Sequence, residues 1–535
     1  MPLMTLAIDF GTTNTVITRW NGATQAPEVV TLPGLAQILP NSPALVPSLL
    51  YVENAASNQV LAGQTVRDRG LDIANDPRFS RNFKRGIGAD IQGFLPDLDG
   101  TTLSFEQLGQ WFLTTVIRAA QAEVPETDTV VLTVPVDSFE TYRNWLGQVC
   151  DPLAIQQVRL LDEPTAAALG YGIQGQEILL VVDLGGGTLD LSLVQLATAP
   201  QQQPLGFILK WGQKSMAQSS GQRLQTARVL AKAGENLGGA DLDNWLADYF
   251  KEQQGLPISP LTLRLVERLK IQLSSQNSAT EAYFDDETLE SWELKLSREQ
   301  FEALLTEQGF FERLDTRMEQ VLQQARRQGI DKGDINAVLL VGGTAQIPAV
   351  QHWVEGYFPA DKIRSDRPFT AVAEGALQVQ QGLELQDFLY HSYGVRYWDR
   401  RNNRHGWHPV IPAGQPYPMD RPTELVLGAS VERQPSIELV MGELGDEAAT
   451  TTTEVFFEGD RLVTRQSQQE ATAVQPLNDT ARGRTIAKLE PLGNPGRDRI
   501  RVLFTVGRDR MLRITVEDLL TKETVLTDQA VVELS

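Results

Sequence analysis

The sequence predicts a chain in two parts: a duplicated α/β domain in two lobes over residues 1–382 and, after a linker at 383–390, a smaller all-β sandwich domain over 391–535. Three observations carry this reading. A strand, glycine turn, strand phrase with an aspartate closing its first strand occurs twice. Strands and helices alternate around both copies. Beyond Gly382 the helical period fades and short alternating strands replace it.

The length of 535 residues exceeds what one core serves. Hydrophobic and charged contents of 41% and 21% are those of an ordinary soluble protein. No apolar run approaches the ~20 residues of a membrane span, so no membrane partner is expected. Met1–Thr5 places no basic segment before an apolar one, and no export signal is expected. The single cysteine, Cys150, lies in an apolar stretch without a basic neighbour. It reads as a buried structural thiol in a reducing, cytoplasmic setting. A net charge of −21 repels phosphate backbones and argues against nucleic acid. Any nucleotide has to be held locally, by backbone N–H groups, a metal ion and a few lysines.

The first copy is an apolar strand over residues 3–9 running into Asp9-Phe10-Gly11-Thr12-Thr13-Asn14, with alternation resuming at Thr15–Trp20. That is a hairpin, not a strand-to-helix nucleotide motif. The second copy is EILLVVDLGGGTLD from Glu177 to Asp190, followed by Leu191–Val194. Between them, Leu108, Trp111, Phe112, Thr115 and Val116 mark one face of a helix over Ser104–Ala122. A strand at Thr129–Val134, a helix at Ser138–Val149 and a strand at Val158–Leu161 follow. After the second copy, Leu261–Leu273 is helical. Ser297 and Gln300 form a capping box opening one long helix to about Arg327. Ala337–Val341 is a strand ending in Gly342-Gly343-Thr344. The all-β part shows strands at Ser436–Val440, Arg499–Val506 and Met511–Val516, the last two joined at Gly507–Arg510. The Thr-rich Ala449–Thr453, with the Gln-rich stretch near Gln466, reads as an inserted flexible loop, and Gln201–Pro204 as another.

Two facing Gly/Thr hairpins make a clamp whose backbone N–H groups and hydroxyls suit a polyphosphate. Asp9 and Asp183 end matching strands and are expected to meet across a cleft, where oxygen ligands suit Mg²⁺. One DLGGGT alone reads equally well as an ordinary turn. Two copies with acidic leaders, and a third glycine turn at Val341–Thr344, weigh against that reading.

On these residues the chain resembles the superfamily of actin, hexokinase and the seventy-kilodalton heat-shock chaperones. The resemblance sharpens to the heat-shock branch at LDEPTAAALGYG (Leu161–Gly172), LGGADLD (Leu237–Asp243) and VGGTAQIPAVQ (Val341–Gln351). Phe83–Gly88 resembles that family's segment with a catalytic lysine, and VLTVPVDSF (Val131–Phe139) its strand with a switch proline. The likeness covers 1–382 well and 388–535 more loosely.

The resemblance implies an actin-like ATPase domain that takes ATP or ADP with Mg²⁺. Asp9 and Asp183 would hold the ion through waters. Gly11, Thr12, Thr13, Asn14, Gly185, Gly186, Gly187 and Thr188 would contact phosphates. Lys84 and Glu163 would position the attacking water, with Asp183, Thr188 and Asp190 completing the catalytic set and the proton acceptor being Asp183 or Glu163. Without the motif, Lys84 reads as a solvated charge and Glu163 as a helix-start charge. Glu267, Lys270 and Ser274 fall on one helix face and would hold the adenosine, as would Gly238, Gly239, Gly342, Gly343 and Gln346. Spacing alone fits an exposed charged stripe as well. Gln346 stands where the family commonly has an arginine, which implies weaker nucleotide binding.

Pro135, Arg143 and Asp387 match the family's interdomain switch, although Glu384 and Gln386 dilute the linker's leucines. Trp398, Leu427 and Ile437 would line a groove for unfolded or apolar peptide, against an equal reading as sandwich core. The sequence ends where the family's helical lid would begin, so a lidless groove with fast peptide exchange is expected. Family partners are J-domain co-chaperones and nucleotide exchange factors. Three functions fit: an ATP-dependent chaperone, a nucleotide-sensing scaffold for one specific partner and, furthest, a small-molecule kinase.

Overall fold

A computed structural model describes residues 4–39, 42–89, 91–93, 95–135, 139–153, 155, 157–172, 177–198, 210–211, 225–285, 288–378, 392–399, 404–412, 415, 418–419, 421–444, 450–458, 461–469, 474–477, 484–507 and 511–534. These form two compact units. One holds the described residues up to 378 together with 453–466, and the other holds the rest of those from 392 onward. The expected loop at Gln201–Pro204, the linker with Asp387 and most of the Gly507–Arg510 turn lie outside the described residues.

The first unit repeats one plan twice. Strand β1 (Met4–Phe10) turns at Gly11 into antiparallel β2 (Asn14–Asn21), with Asp9 opposite Val16. Helix α1 (Phe105–Glu123) leads to β3 (Thr127–Val134), parallel to β1. Helix α2 (Phe139–Cys150) leads to β4 (Gln157–Asp162), parallel to β3. Helix α3 (Glu163–Gly170) precedes the second copy. There β5 (Ile178–Leu184) turns at Gly185–Gly187 into antiparallel β6 (Leu189–Thr198), with Asp183 opposite Asp190. Strand β7 (Gln225–Glu235) pairs with β6, and β8 (Ala337–Val341) runs parallel to β5.

Helices α4 (Gly239–Gln254), α5 (Pro260–Ser275), α6 (Arg298–Glu307) and α7 (Phe310–Arg327) share one core with this second sheet. Strand alternation decides which side chains join it. Leu180, Val182 and Leu184, then Leu189, Leu191 and Leu193, then Ala231 and Ala233 face the helices. Asp183, Asp190, Ser192 and Lys232 therefore stand on the opposite face.

The expected single helix from Ser297 to Arg327 is two helices. The capping box forms, Gln300 N donating to Ser297 Oγ at 3.1 Å. The chain then breaks at Gly309, whose φ of 69° lies in the left-handed region that glycine tolerates best. The Thr-rich insert is also corrected. Thr450–Glu458 and Arg461–Gln469 are strands, consistent with their β-branched residues, and Glu454–Val455 pairs in parallel with Ile91–Gln92.

Helix α8 (Ala371–Gln378) crosses α3 at glycines. A Cβ on Gly170 would collide with the carbonyl of Ala371, and one on Gly375 with the carbonyl of Ala166. Gly375→Ala is expected to lower the melting temperature by several degrees, the effect of ~1–3 kcal/mol of overpacking. Gly356→Ala, in a helix with open space around that Cβ, should leave it unchanged or raise it. Thermal melts of the two variants side by side check this.

The second unit is all β. It comprises β9 (Ser392–Asp399), β10 (Arg404–Ile411), β11 (Thr423–Gly428), β12 (Gln434–Leu439), β13 (Met441–Leu444), β14 (Arg484–Gly493), β15 (Asp498–Val506), β16 (Met511–Asp518) and β17 (Glu523–Glu533). An antiparallel sheet runs β11-β15-β16-β17, β10-β9-β13 belong to a second, and β12 pairs with β14. Tyr393, Leu439, Phe504 and Ile514 lie in their common core. Among the described residues no helix is long and apolar enough to cross a membrane.

Candidate functional site

The two glycine hairpins meet. A Cβ on Gly186 would run into the Thr13 hydroxyl, and one on Gly187 would sit 2.6 Å from Thr12 Oγ1, so glycine is what lets the turns approach. Each turn is braced. Ser48 Oγ donates to Gly11 O at 2.7 Å and Ser48 N to Thr13 O at 2.8 Å. Gly185 N donates to Thr188 O at 3.0 Å. The third glycine turn joins them, Thr344 Oγ1 donating to Gly185 O at 2.8 Å. Gly239 N donates to that same carbonyl at 3.0 Å, and Gly238 N to Asp241 Oδ2 at 2.8 Å. Gly342, Gly343 and Gln346 belong to this turn, while Asn14 opens β2.

Behind the turns lies a charged cluster. Lys84 Nζ is 3.1 Å from Glu163 Oε1, both side chains largely buried. The ammonium also lies over the rings of Phe10 and Tyr142, at 5.4 and 5.9 Å from their centroids. Tyr142 donates its hydroxyl to Lys84 O at 3.2 Å, and Thr133 Oγ1 donates to Asp9 Oδ1 at 2.9 Å. Burial, and then the Glu163 charge, push Asp9 up to about 6. Burial and the neighbouring Glu163, Asp190 and Asp9 carboxylates raise Asp183 well above the ordinary range. Burial works against the Lys84 charge, but Glu163, Tyr142 and Asp9 together outweigh it and the net shift is upward. Asp9 and Asp183 thus share one electrostatic field.

The residues fit a magnesium ion. Crowded carboxylates with Lys84 as their nearby counter-charge are relieved by a divalent cation, and their oxygens are the donors it prefers. Among the described residues no three acidic, His or Cys side chains converge as a direct ligand set. An ion here would keep most of its water, as Mg²⁺ commonly does.

The adenosine-side residues have partners of their own. Lys270 Nζ is 2.7 Å from both Asp243 Oδ1 and Gly239 O. Burial raises Asp243 to about 6, the Lys270 charge opposing the rise. Ser274 Oγ donates to Lys270 O at 3.4 Å. Glu267 reaches Arg67 Nη2 at 3.5 Å, Arg67 Nε lies 3.9 Å from Asp72, and Asp72 pairs with Arg264 at 3.1 Å. This chain of ions lines an open pocket that Thr12, Thr13 and Asp243 also line.

The sequence reading missed this ion chain, and it missed Arg85. That guanidinium, its side chain fully buried, holds Asp241 at 3.0 Å and Asn236 O at 3.3 Å. Its only signal was its place beside Lys84. Pro135 follows β3 half-buried, whereas the side chain of Arg143 lies outside those described. Of the expected groove residues, Ile437 is 5% exposed in the sandwich core and Leu427 packs against that core. Trp398, at 43%, is exposed on β9. Cys150 is buried, which pushes its thiol up to about 12.

Comparison with known proteins gives a family match to "Hsp70 protein" over residues 5–200 and 226–399. A "Chaperone protein dnaK1" of Synechocystis sp. is 30% identical over 420 residues, covering 72% of this chain and 55% of that protein. A "Chaperone protein DnaK" of Thermosipho africanus is 29% identical over 390 residues, 69% of this chain and 58% of the relative. One from Deinococcus proteolyticus is 30% identical over 409 residues, with shares of 71% and 59%. Each match therefore spans less than two thirds of the relative's length.

Proposed function

This chain belongs to the Hsp70 family, and on that footing we propose that it binds ATP or ADP with Mg²⁺, hydrolyses ATP slowly and couples this to binding apolar peptide through its β-unit. The observation that carries the reading is the Lys84–Glu163 pair set among Asp9 and Asp183 behind two touching glycine hairpins.

The hairpin N–H groups and the Thr12, Thr13 and Thr188 hydroxyls hold the phosphates, with Asn14 at the first turn. Asp9 and Asp183 would hold a magnesium ion through water, and the ion would supply charge neutralisation at the phosphates. Glu163 orients the attacking water and Lys84 faces the negative charge that builds on the γ-phosphoryl oxygens. The water oxygen bonds to the γ-phosphorus as the bridging bond to ADP breaks. The water's proton passes to Asp183 or Glu163, Asp190 standing opposite Asp183 in register. Lys270, Glu267 and Ser274 face the adenosine, with Gln346 at the base.

Peptide binding rests on the resemblance of the β-unit and on the exposed aromatics Tyr397 and Trp398 of β9. J-domain co-chaperones and exchange factors are the partners this reading predicts, in a cytoplasmic setting that suits a single buried thiol. The test is single-turnover ATP hydrolysis with a peptide-array screen. Bound ATP turned over faster with peptide or a J-domain protein supports the full cycle. Turnover that neither stimulates leaves a nucleotide-sensing scaffold.

The Glu267–Arg67–Asp72–Arg264 chain ties α5 to the first lobe at the cleft mouth. Arg264→Ala is expected to speed ADP release about three- to tenfold, the worth of one or two partly buried pairs at ~0.2–1 kcal/mol each. Stopped-flow release of a fluorescent ADP analogue measures it.

A further inference from the structure

Lys232 has no part in the scheme above, yet it stands where few lysines do. Strand alternation sends its neighbours Ala231 and Ala233 into the helix core and Lys232 to the other face of the sheet. The cross-strand row that it ends is buried, with Val181 1% and Ser192 3% exposed. A charge there needs a partner. The backbone is fixed at this point, Lys232 N donating to Gln324 Oε1 of α7 at 2.9 Å.

The register supplies candidates. Lys232 pairs with Ser192, and Gly234 with Asp190, which in turn faces Asp183. Lys232 is thus the diagonal neighbour of Asp190, a relation of ~7–8 Å that a long side chain spans. The start of α3 lies near the same face. Glu163, Asp183, Asp190, Ser192 and Lys232 all line one small cavity. That cavity has no lining residue in common with the cleft mouth. The site holds four carboxylates, Asp9, Glu163, Asp183 and Asp190, against the ammonium of Lys84. Lys84 alone does not offset them, and a bound triphosphate would add further negative charge. Lys232 brings a second ammonium to the same pocket.

We propose that Lys232 is a positioning residue for hydrolysis, its ammonium balancing and holding the Asp183–Asp190 side of the catalytic centre from this rear cavity. The inference rests on the ATPase reading above. Phosphoryl transfer to water depends on fixed charges around the γ-phosphate, so a displaced or unbalanced carboxylate slows the chemical step more than nucleotide binding.

The test uses the full chain with Lys232→Met, Lys232→Arg and Lys232→Ala. Lys232→Met should lower the single-turnover rate about ten- to thirtyfold with ATP affinity within twofold. Lys232→Arg should restore most of the rate. Methylammonium added to Lys232→Ala should recover part of it, while choline at equal ionic strength should not. A Lys232→Met rate equal to that of the unmodified chain overturns the proposal. So does a loss that neither arginine nor methylammonium repairs, since that marks a packing role only. No turnover in the unmodified chain overturns the hydrolysis reading and this inference together; turnover there with Lys232→Met unaffected overturns this inference alone.

Discussion

Lys84→Ala is expected to lower single-turnover ATP hydrolysis by about 10²- to 10³-fold while ATP affinity stays within a few-fold. The ammonium is held in place before any substrate arrives. Glu163 pairs with it at 3.1 Å, two aromatic rings flank it, and the Tyr142 hydroxyl pins its own carbonyl. A charge fixed this way pays no reorganisation at the moment of reaction, so its removal falls on the transition state. The variant also leaves Glu163, only 8% exposed, without its cation in a group of carboxylates. A quenched-flow rate beside a calorimetric affinity separates the two effects. A rate within threefold of the unmodified chain would exclude Lys84 from the chemistry.

The second large effect belongs to the β-unit. Arg499 and Asp518 form a two-pronged ion pair on neighbouring strands, at 2.8 Å through Nε and 2.7 Å through Nη2, with almost no exposed surface. Arg499 also donates to the carbonyls of Glu490 and Pro491, and Asp518 accepts from the backbone of Leu520 and Thr521. Removing one partner strands a buried charge. Asp518→Ala is therefore expected to destabilise this unit by about 3–5 kcal/mol, whereas Arg499→Met with Asp518→Leu should recover much of the loss. The pair also gives an acid dependence. Burial pushes the Asp518 carboxyl up, but Arg499 and the backbone donors outweigh it and the net shift is downward. A carboxyl lowered by folding stabilises fully above its unfolded pKa, and that contribution is lost as pH falls below about 4. Urea unfolding at pH 7 and pH 3 should show Asp518→Ala losing most of this pH dependence. Identical midpoints for Asp518→Ala and the unmodified chain would rule the pair out as a support.

Much of this was legible because the sequence repeats itself. Asp9 and Asp183 each close an apolar strand before a glycine turn, and the structure builds both as hairpins in matching sheets. The alternation of Leu180, Val182 and Leu184 announced a strand with one face in a core. Long-range pairs carried no such mark. Arg85 meets Asp241, and Arg67 meets Glu267, across intervals with no periodicity to read. Lys232 was hidden for another reason: its strand, β7, follows a stretch without clear pattern, so its register against Ser192 was not predictable. Helices α6 and α7 read as one because Gly309 sits inside a continuous charged pattern that tolerates either outcome. The resemblance named Ile437 for the groove with the sandwich core as an equal reading, because an apolar strand position has the same appearance whether it faces a ligand or a core.

The crossing of α3 and α8 also bears on motion. Both helices present bare backbone where they touch, at Gly170 and Gly375, and the crossing is pinned by Gln378 Nε2 donating to Leu169 O at 2.8 Å and Arg367 Nη1 donating to Gly170 O at 2.8 Å. One carries Glu163 at its first residue, and the other packs against β1, which ends beside Asp9. A crossing this tight is expected to move as one piece, so any opening of the two lobes would turn near Asp9 and Glu163 and shift the rims most.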